Sequence, residues 1–179
     1  GAAGGLMADR VIVDGYNVLN AHPAYRSVGA ADIDAARERL VSDLAGYAAG
    51  GHRVTVVFDA ADNPGSDGSP HHIGPLSVIF SAAGTDADTV IEALAARARE
   101  RGESTVVVTA DREVRAAVTG GSVAWRSAAG FVEDMLGDLR SSLASHGGTE
   151  SRVSVDKRLP EAVRERLARW ARGEMPEAR

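Results

Sequence analysis

The sequence predicts an α/β fold: a three-layer α-β-α sandwich around a mostly parallel central sheet, with one further helix at the C-terminus. Two observations carry this expectation. The apolar segments "VIV" (11–13), "RVTVVFD" (53–59), "LSVIF" (76–80), "STVVVTAD" (104–111) and "GGSVAW" (120–125) are short and almost continuously apolar. Strands of that kind are covered on both faces, whereas a half-exposed strand alternates apolar and polar residues. Segments with helical spacing separate most of these runs, and strand–helix alternation builds a parallel sheet with helices on both sides.

Taken in order, residues 10–14 form the first strand, and a loop rich in Asn, His, Pro and Gly is expected to follow to about residue 31. Residues 32–49 place Ile33, Ala36, Leu40, Leu44 and Tyr47 at helical intervals, with Asp32 or Asp34 as cap and Gly50-Gly51 as the stop. The second strand covers 53–59. Residues 60–75 show no periodicity and read as a long functional loop. A third strand at 76–80 leads to a helix over 86–101 with Ile91, Leu94, Ala95 and Ala98 inward. The fourth strand, 104–111, precedes a short helix at 112–118, and a fifth strand precedes a helix that Ser127 opens.

The expected organisation is a flexible leader at 1–9, a domain at 10–145, a linker at 146–159 and a C-terminal helix at 160–173. That last helix puts Val163, Leu167 and Trp170 on one face and Arg164, Arg166, Arg169 and Arg172 elsewhere, as an amphipathic helix docked on the domain does.

Composition excludes several chemistries. The 179-residue chain has no cysteine, so disulfides, thiolate metal sites and a cysteine nucleophile are absent. A reducing cytoplasmic location is compatible with that. No apolar run approaches the roughly 18 residues of a membrane span. The net charge of −5 argues against a broadly basic nucleic-acid coat, but a cluster of metal-binding carboxylates would itself lower the total.

The carboxylates have a pattern. In a parallel sheet the carboxyl ends of the strands share one edge, and ligands bind there. Asp14 ends the first strand, Asp59 the second and Asp111 the fourth, while Asp86 and Asp88 open the helix after the third. Each has an ordinary structural use, as N-cap or turn residue. Together they would repel one another at low dielectric unless a cation joined them. Mg²⁺ or Mn²⁺ suits such oxygen donors, and can activate water and neutralise charge on a phosphodiester. Asp88 and Glu92, four residues apart, share a helix face beside the packed stripe, which favours Asp88 over Asp86 as the site acid. Asn17 and Thr109 are candidate substrate ligands at the same edge.

Other acid-at-strand-end folds fit less well. A phosphoryl-receiving domain needs a lysine at the end of its last sheet strand, and the only lysine here is Lys157. A haloacid-dehalogenase-type phosphatase needs a second aspartate at position 16, which is Tyr16. No glycine-rich dinucleotide turn follows the first strand.

In order, "VIVDGYNVL", "VTVVFDA", "GTDADTVIE" and "VVVTADREV" resemble the motifs of the YacP-like NYN-domain family, which has a PIN-like nuclease fold. The resemblance spans about residues 10–140. It implies a metal-dependent endoribonuclease acting on RNA, with relatives linked to mRNA or ribosome-associated cleavage. Carried over by motif, Asp14, Asp59, Asp88 and Asp111 are the catalytic acids. Asp14, Asp88, Asp111 and Asp86 are the metal-ligand candidates, and Asn17, Thr109 and Ser127 would contact substrate. Ser127 resembles the serine that opens the family's final core helix, although an N-cap role accounts for it equally. Thr85-Asp86-Ala87-Asp88 stands where the family commonly has Glu-Thr-Ala-Asp. The alternative is a PIN-like RNA-binding or ribosome-associated module that does not cleave. The 60–75 loop, with His71 and His72 expected in solvent, would close over RNA.

Overall fold

The computed structural model describes residues 10–146 and 159–174. The expected leader and nearly all of the expected linker lie outside the described residues. Six strands form one sheet in the order β3-β4-β2-β1-β5-β6: β1 (Arg10–Asp14), β2 (Val54–Phe58), β3 (Pro70–Ile73), β4 (Leu76–Phe80), β5 (Thr105–Val108) and β6 (Val123–Arg126). All neighbours are parallel except β3, which runs antiparallel to β4 at the edge. The mostly parallel α/β architecture is the one the apolar runs predict.

Because strand side chains alternate between faces, each run feeds two cores. Val11, Val13, Val56, Phe58, Val78 and Phe80 face a core shared with Leu40, Leu44, Phe131, Met135, Leu167 and Trp170. Ile12, Val57, Ile79 and Val107 face the other, under Ile91, Leu94, Ala95 and Ala98. Helix α4 (Ala87–Glu100) and the short α5 (Arg112–Val118) cover that second face. The first is covered by α3 (Ile33–Ala49), α6 (Ala128–His146) and α7 (Glu161–Ala171). Leu167 and Trp170 are buried, so the amphipathic C-terminal helix is docked.

Three expectations need correction. Residues 15–31 are not a loop but two seven-residue helices, α1 (Gly15–Ala21) and α2 (Pro23–Gly29). Each is too short to show a period, and tertiary burial of Val18, Leu19 and Tyr25 holds them. The 60–75 segment contains β3, whose four residues begin at a proline that an edge strand tolerates. Its His71 is not a solvated loop residue: the ring stacks on Trp170 at 4.1 Å. On α3, Ile33 is 45% exposed while Arg37 is buried in its place. Tyr16 makes this tolerable, its hydroxyl accepting from Arg37 Nη2 at 2.9 Å while Arg37 Nη1 donates to Asp34 at 2.6 Å.

Gly15 is dictated by close approach. A Cβ on Gly15 would lie 2.3 Å from Cε1 of Phe58, so α1 leaves β1 directly against that ring. Gly15→Ala is expected to force this contact apart and to lower unfolding free energy by about 1–3 kcal/mol, the usual cost of overpacking. Chemical denaturation of the two proteins checks it.

Candidate functional site at the carboxyl edge of the sheet

Strand order places a topological switch at β1. From β1 the chain builds outward through β2 and β4, then α4 carries it back across to β5 on the other side. The crevice at the carboxyl ends of β1 and β5 is therefore where an open α/β sheet accepts ligands. Asp14 is the last residue of β1, and Thr109, Ala110 and Asp111 form the turn leaving β5.

Asp14 is only 6% exposed. Its carboxyl pKa is pushed up to about 6, first by burial and then by the facing Asp88, with Asp111 adding to the effect. The Asn17 backbone amide and the Thr109 hydroxyl act in the opposite direction, favouring the charged form. Asp88, on the first turn of α4, is partly buried, and its pKa is raised by that burial and by Asp111, Asp86, Glu92 and Asp59. Asp14, Asp88 and Asp111 thus form one mutually repelling group at the switch point.

The other acids are placed differently. Asp86 is exposed and caps α4, accepting from Thr89 N at 2.8 Å and Thr89 Oγ1 at 2.6 Å; these bonds hold its pKa below the ordinary value. Asp59 is exposed, accepts from Ala61 N at 3.0 Å, and reaches the group only through a weak interaction with Asp88. Asp111 combines two uses. One of its oxygens accepts from Glu113 N and Val114 N as the cap of α5, while its charge bears on both Asp14 and Asp88.

The three expected substrate contacts are tied into the scaffold. Asn17 Oδ1 accepts from Ala110 N at 2.5 Å, joining α1 to the β5 turn and leaving its amide NH₂ as a donor. Thr109 Oγ1 accepts from Asp111 N at 3.0 Å and donates to Asp14 Oδ2 at 3.4 Å, so one hydroxyl links two of the acids. Ser127 Oγ accepts from Gly130 N at 3.1 Å, which is cap geometry for α6.

One further side chain escapes sequence reasoning. Trp125 Nε1 donates to the Thr109 carbonyl at 2.9 Å, and Arg115 covers the indole at 4.0 Å. The turn carrying Asp111 is therefore held from three directions, by Asn17, Trp125 and the Thr109 hydroxyl. The tryptophan is legible only once β6 is known to pair with β5, with Val107 opposite Trp125.

Among the described residues, no three carboxylates or imidazoles are already gathered at metal-holding distance. The donor chemistry nevertheless suits Mg²⁺ or Mn²⁺. Mg²⁺ usually takes one or two carboxylates and completes its shell with water and substrate phosphate instead of a full protein cage. Asp14, Asp88 and Asp111 are the acids whose charges act on one another there, and a cation among them would offset the part of the Asp14 and Asp88 shifts that repulsion adds to burial.

The raised pKa of Asp14 sets a stability prediction. Between about pH 4 and pH 6 the native state binds more protons than the unfolded chain, so stability falls as pH rises through this window. Asp14→Asn removes the ionisation. In metal-free buffer the variant should be the more stable protein at pH 7, by as much as ~3 kcal/mol, with the gap vanishing towards pH 4. Denaturation in EDTA across that range measures it.

Comparison with known proteins agrees with this architecture. Residues 11–172 match the sequence profile of the YacP-like NYN domain. The YacP protein of Bacillus subtilis strain 168 is 28% identical over 169 residues, covering 93% of this chain and 99% of that protein. The crystal structure of a tryptophan-to-leucine variant of Rae1 (YacP) from Bacillus subtilis superposes with a TM-score of 0.63 at 26% identity, covering 89% of this chain and 98% of the other. A second Rae1 (YacP) structure gives a TM-score of 0.60 at 24% identity, over 96% and 99% of the two chains, and bears on the fold alone. With this topology, and a profile match running through nearly the whole described chain, the protein belongs to the YacP-like NYN domain family, a nuclease-like family of PIN-like fold.

Proposed function

We propose that this protein is an endoribonuclease that hydrolyses RNA phosphodiester bonds with Mg²⁺ or Mn²⁺. The observation that carries the proposal is the buried Asp14 carboxylate at the switch point, its pKa raised by Asp88 and Asp111 as well as by burial. A bound divalent ion would supply positive charge for the phosphate and lower the pKa of water. The chain's own residues do the rest. Asp14, Asp88 and Asp111 would hold the ion, and Thr109 keeps Asp14 and the Asp111 backbone in register. The Asn17 NH₂ group is a donor for a phosphate oxygen. Asp59 and Asp86 are both exposed and bear on the site through their charge on Asp88, Asp86 serving also as the cap of α4.

RNA as the substrate class follows from the nuclease-like family together with this acid set. Action on mRNA or at the ribosome, in a reducing cytoplasm, belongs to the same proposal. Among the described residues, no helix is long and apolar enough to cross a membrane.

Labelled single-stranded RNA incubated with Mn²⁺, Mg²⁺ or EDTA tests the reading, with wild type and Asp14→Asn in parallel. Metal-dependent cutting by wild type is expected to fall at least ~100-fold in the variant, equivalent to about 3 kcal/mol of barrier. Mn²⁺ should also raise the melting temperature of wild type alone, because an ion bound only by the native state stabilises it. Equal cutting by both proteins would contradict the site. An RNA-binding wild type that never cuts would instead identify the non-cleaving module.

A further inference from the structure

The edge opposite the acids is basic. Parallel strands start at that edge, and α4 returns the chain to it. Arg10 opens β1, Arg53 immediately precedes β2, Arg97 and Arg99 occupy the last turn of α4, and Arg101 is its C-cap. Arg99 is committed, donating to the carbonyls of Val118 at 2.5 Å and Gly120 at 3.3 Å. Arg53, Arg97 and Arg101 are exposed. Among the described residues Arg53 and Arg97 have no ion-pair partner, and Arg101 has only Glu103, at 3.9 Å. The Arg10 guanidinium donates to Thr55 Oγ1 over a long 3.4 Å.

The guanidinium groups feel one another. Partial burial lowers the pKa of Arg10, and Arg53, Arg97 and Arg101 lower it further against the opposing pull of Glu103. A helix C-terminus favours cations, which accounts for Arg97 and Arg99. It does not account for Arg10 and Arg53, which sit at strand starts. Glu103 also has an oxygen, Oε2, buried without a hydrogen-bond partner, so the local carboxylate is not fully used to pair these cations.

We propose that this amino-terminal edge, centred on Arg10, Arg53, Arg97 and Arg101, is a second RNA contact surface that takes the phosphate backbone of strands extending beyond the scissile stretch. The proposal rests on RNA being the substrate. Guanidinium forks match phosphate oxygens bidentately, and crowded arginines are relieved by a polyanion. A five-residue strand at about 3.3 Å per residue separates the two edges by ~16 Å. A short oligonucleotide occupying the acidic edge does not span that distance, whereas a long or folded RNA does.

The test is binding of a long labelled RNA in EDTA, where metal-dependent cleavage is off. It compares wild type with the combined Arg53→Ala, Arg97→Ala and Arg101→Ala variant, and with the same three positions changed to lysine. Loss of three phosphate contacts should make the slope of log affinity against log salt shallower by about 2, at about 0.7 per contact. The lysine variant should keep most of the slope, and cleavage of a short oligonucleotide with Mn²⁺ should be unchanged in all three proteins. A slope equal to wild type in the alanine variant would overturn the proposal, as would wild type failing to bind RNA in EDTA. A shallower slope shared by the lysine variant, with a lower melting temperature, would assign these residues to structure instead. Failure of the nuclease reading appears separately, as absence of Mn²⁺-dependent cutting.

Discussion

A carboxylate buried at the switch point of a parallel sheet is the constraint around which the rest of this site is organised. Asp14 is taken almost entirely out of water, and desolvation of a carboxylate costs several kcal/mol unless something favours its charged form. Here the nearest ionisable neighbours are acids, and they add to the cost. The fold opposes it only with a backbone amide and one threonine hydroxyl. The packing that fixes Asp14 is correspondingly tight: Gly15 sits against Phe58, which stacks on Phe80, and Tyr16 packs against the same ring while accepting from the buried Arg37. A buried charge left uncompensated in this way belongs at functional sites, where a ligand completes what the protein alone leaves unpaired.

The scaffold delivers the second and third acids by different routes. Asp88 arrives on α4, just after the capping Asp86, so a helix start gives one acid to stability and presents the other to the site. Asp111 arrives on a turn, and turns are mobile unless held. Asn17 from α1, Trp125 from β6 and the Thr109 hydroxyl hold this one, coupling the geometry of the acid group to elements distant in sequence. The described residues are also polar along the strand direction, with Asp14, Asp88 and Asp111 at one edge and Arg10, Arg53, Arg97 and Arg101 at the other. A polyanionic substrate would meet both edges, neutralised by metal at the first and by arginine at the second.

Much of this is legible in the sequence because it rests on local rules. Continuous apolar runs identify doubly covered strands, and an aspartate at the end of such a run falls at the shared edge by topology alone. The i, i+4 relation of Asp88 and Glu92 favours Asp88 over Asp86 without separating them; the bonds from Thr89 that make Asp86 the cap come only with the structure. What is not legible depends on tertiary partners. The helices over 15–31 are seven residues each and exist because Val18, Leu19 and Tyr25 are buried by distant segments. Arg37 reads as a solvent residue until Tyr16 is placed beside it. His71 reads as a loop residue until α7 brings Trp170 onto its ring. The tether from Trp125 depends on strand order, and strand order is not written in local periodicity.

The site is organised by electrostatics, and the titration of one carboxyl group tests this most directly. Carbon-detected NMR of Asp14 in metal-free buffer, repeated with Mg²⁺, reports its protonation in each state. Titration near pH 6 without metal, falling below the ordinary carboxylate range when Mg²⁺ is added, is the result this account predicts. An Asp14 that titrates near pH 4 and ignores Mg²⁺ would contradict it, leaving the acid edge a set of capping residues with no shared ligand.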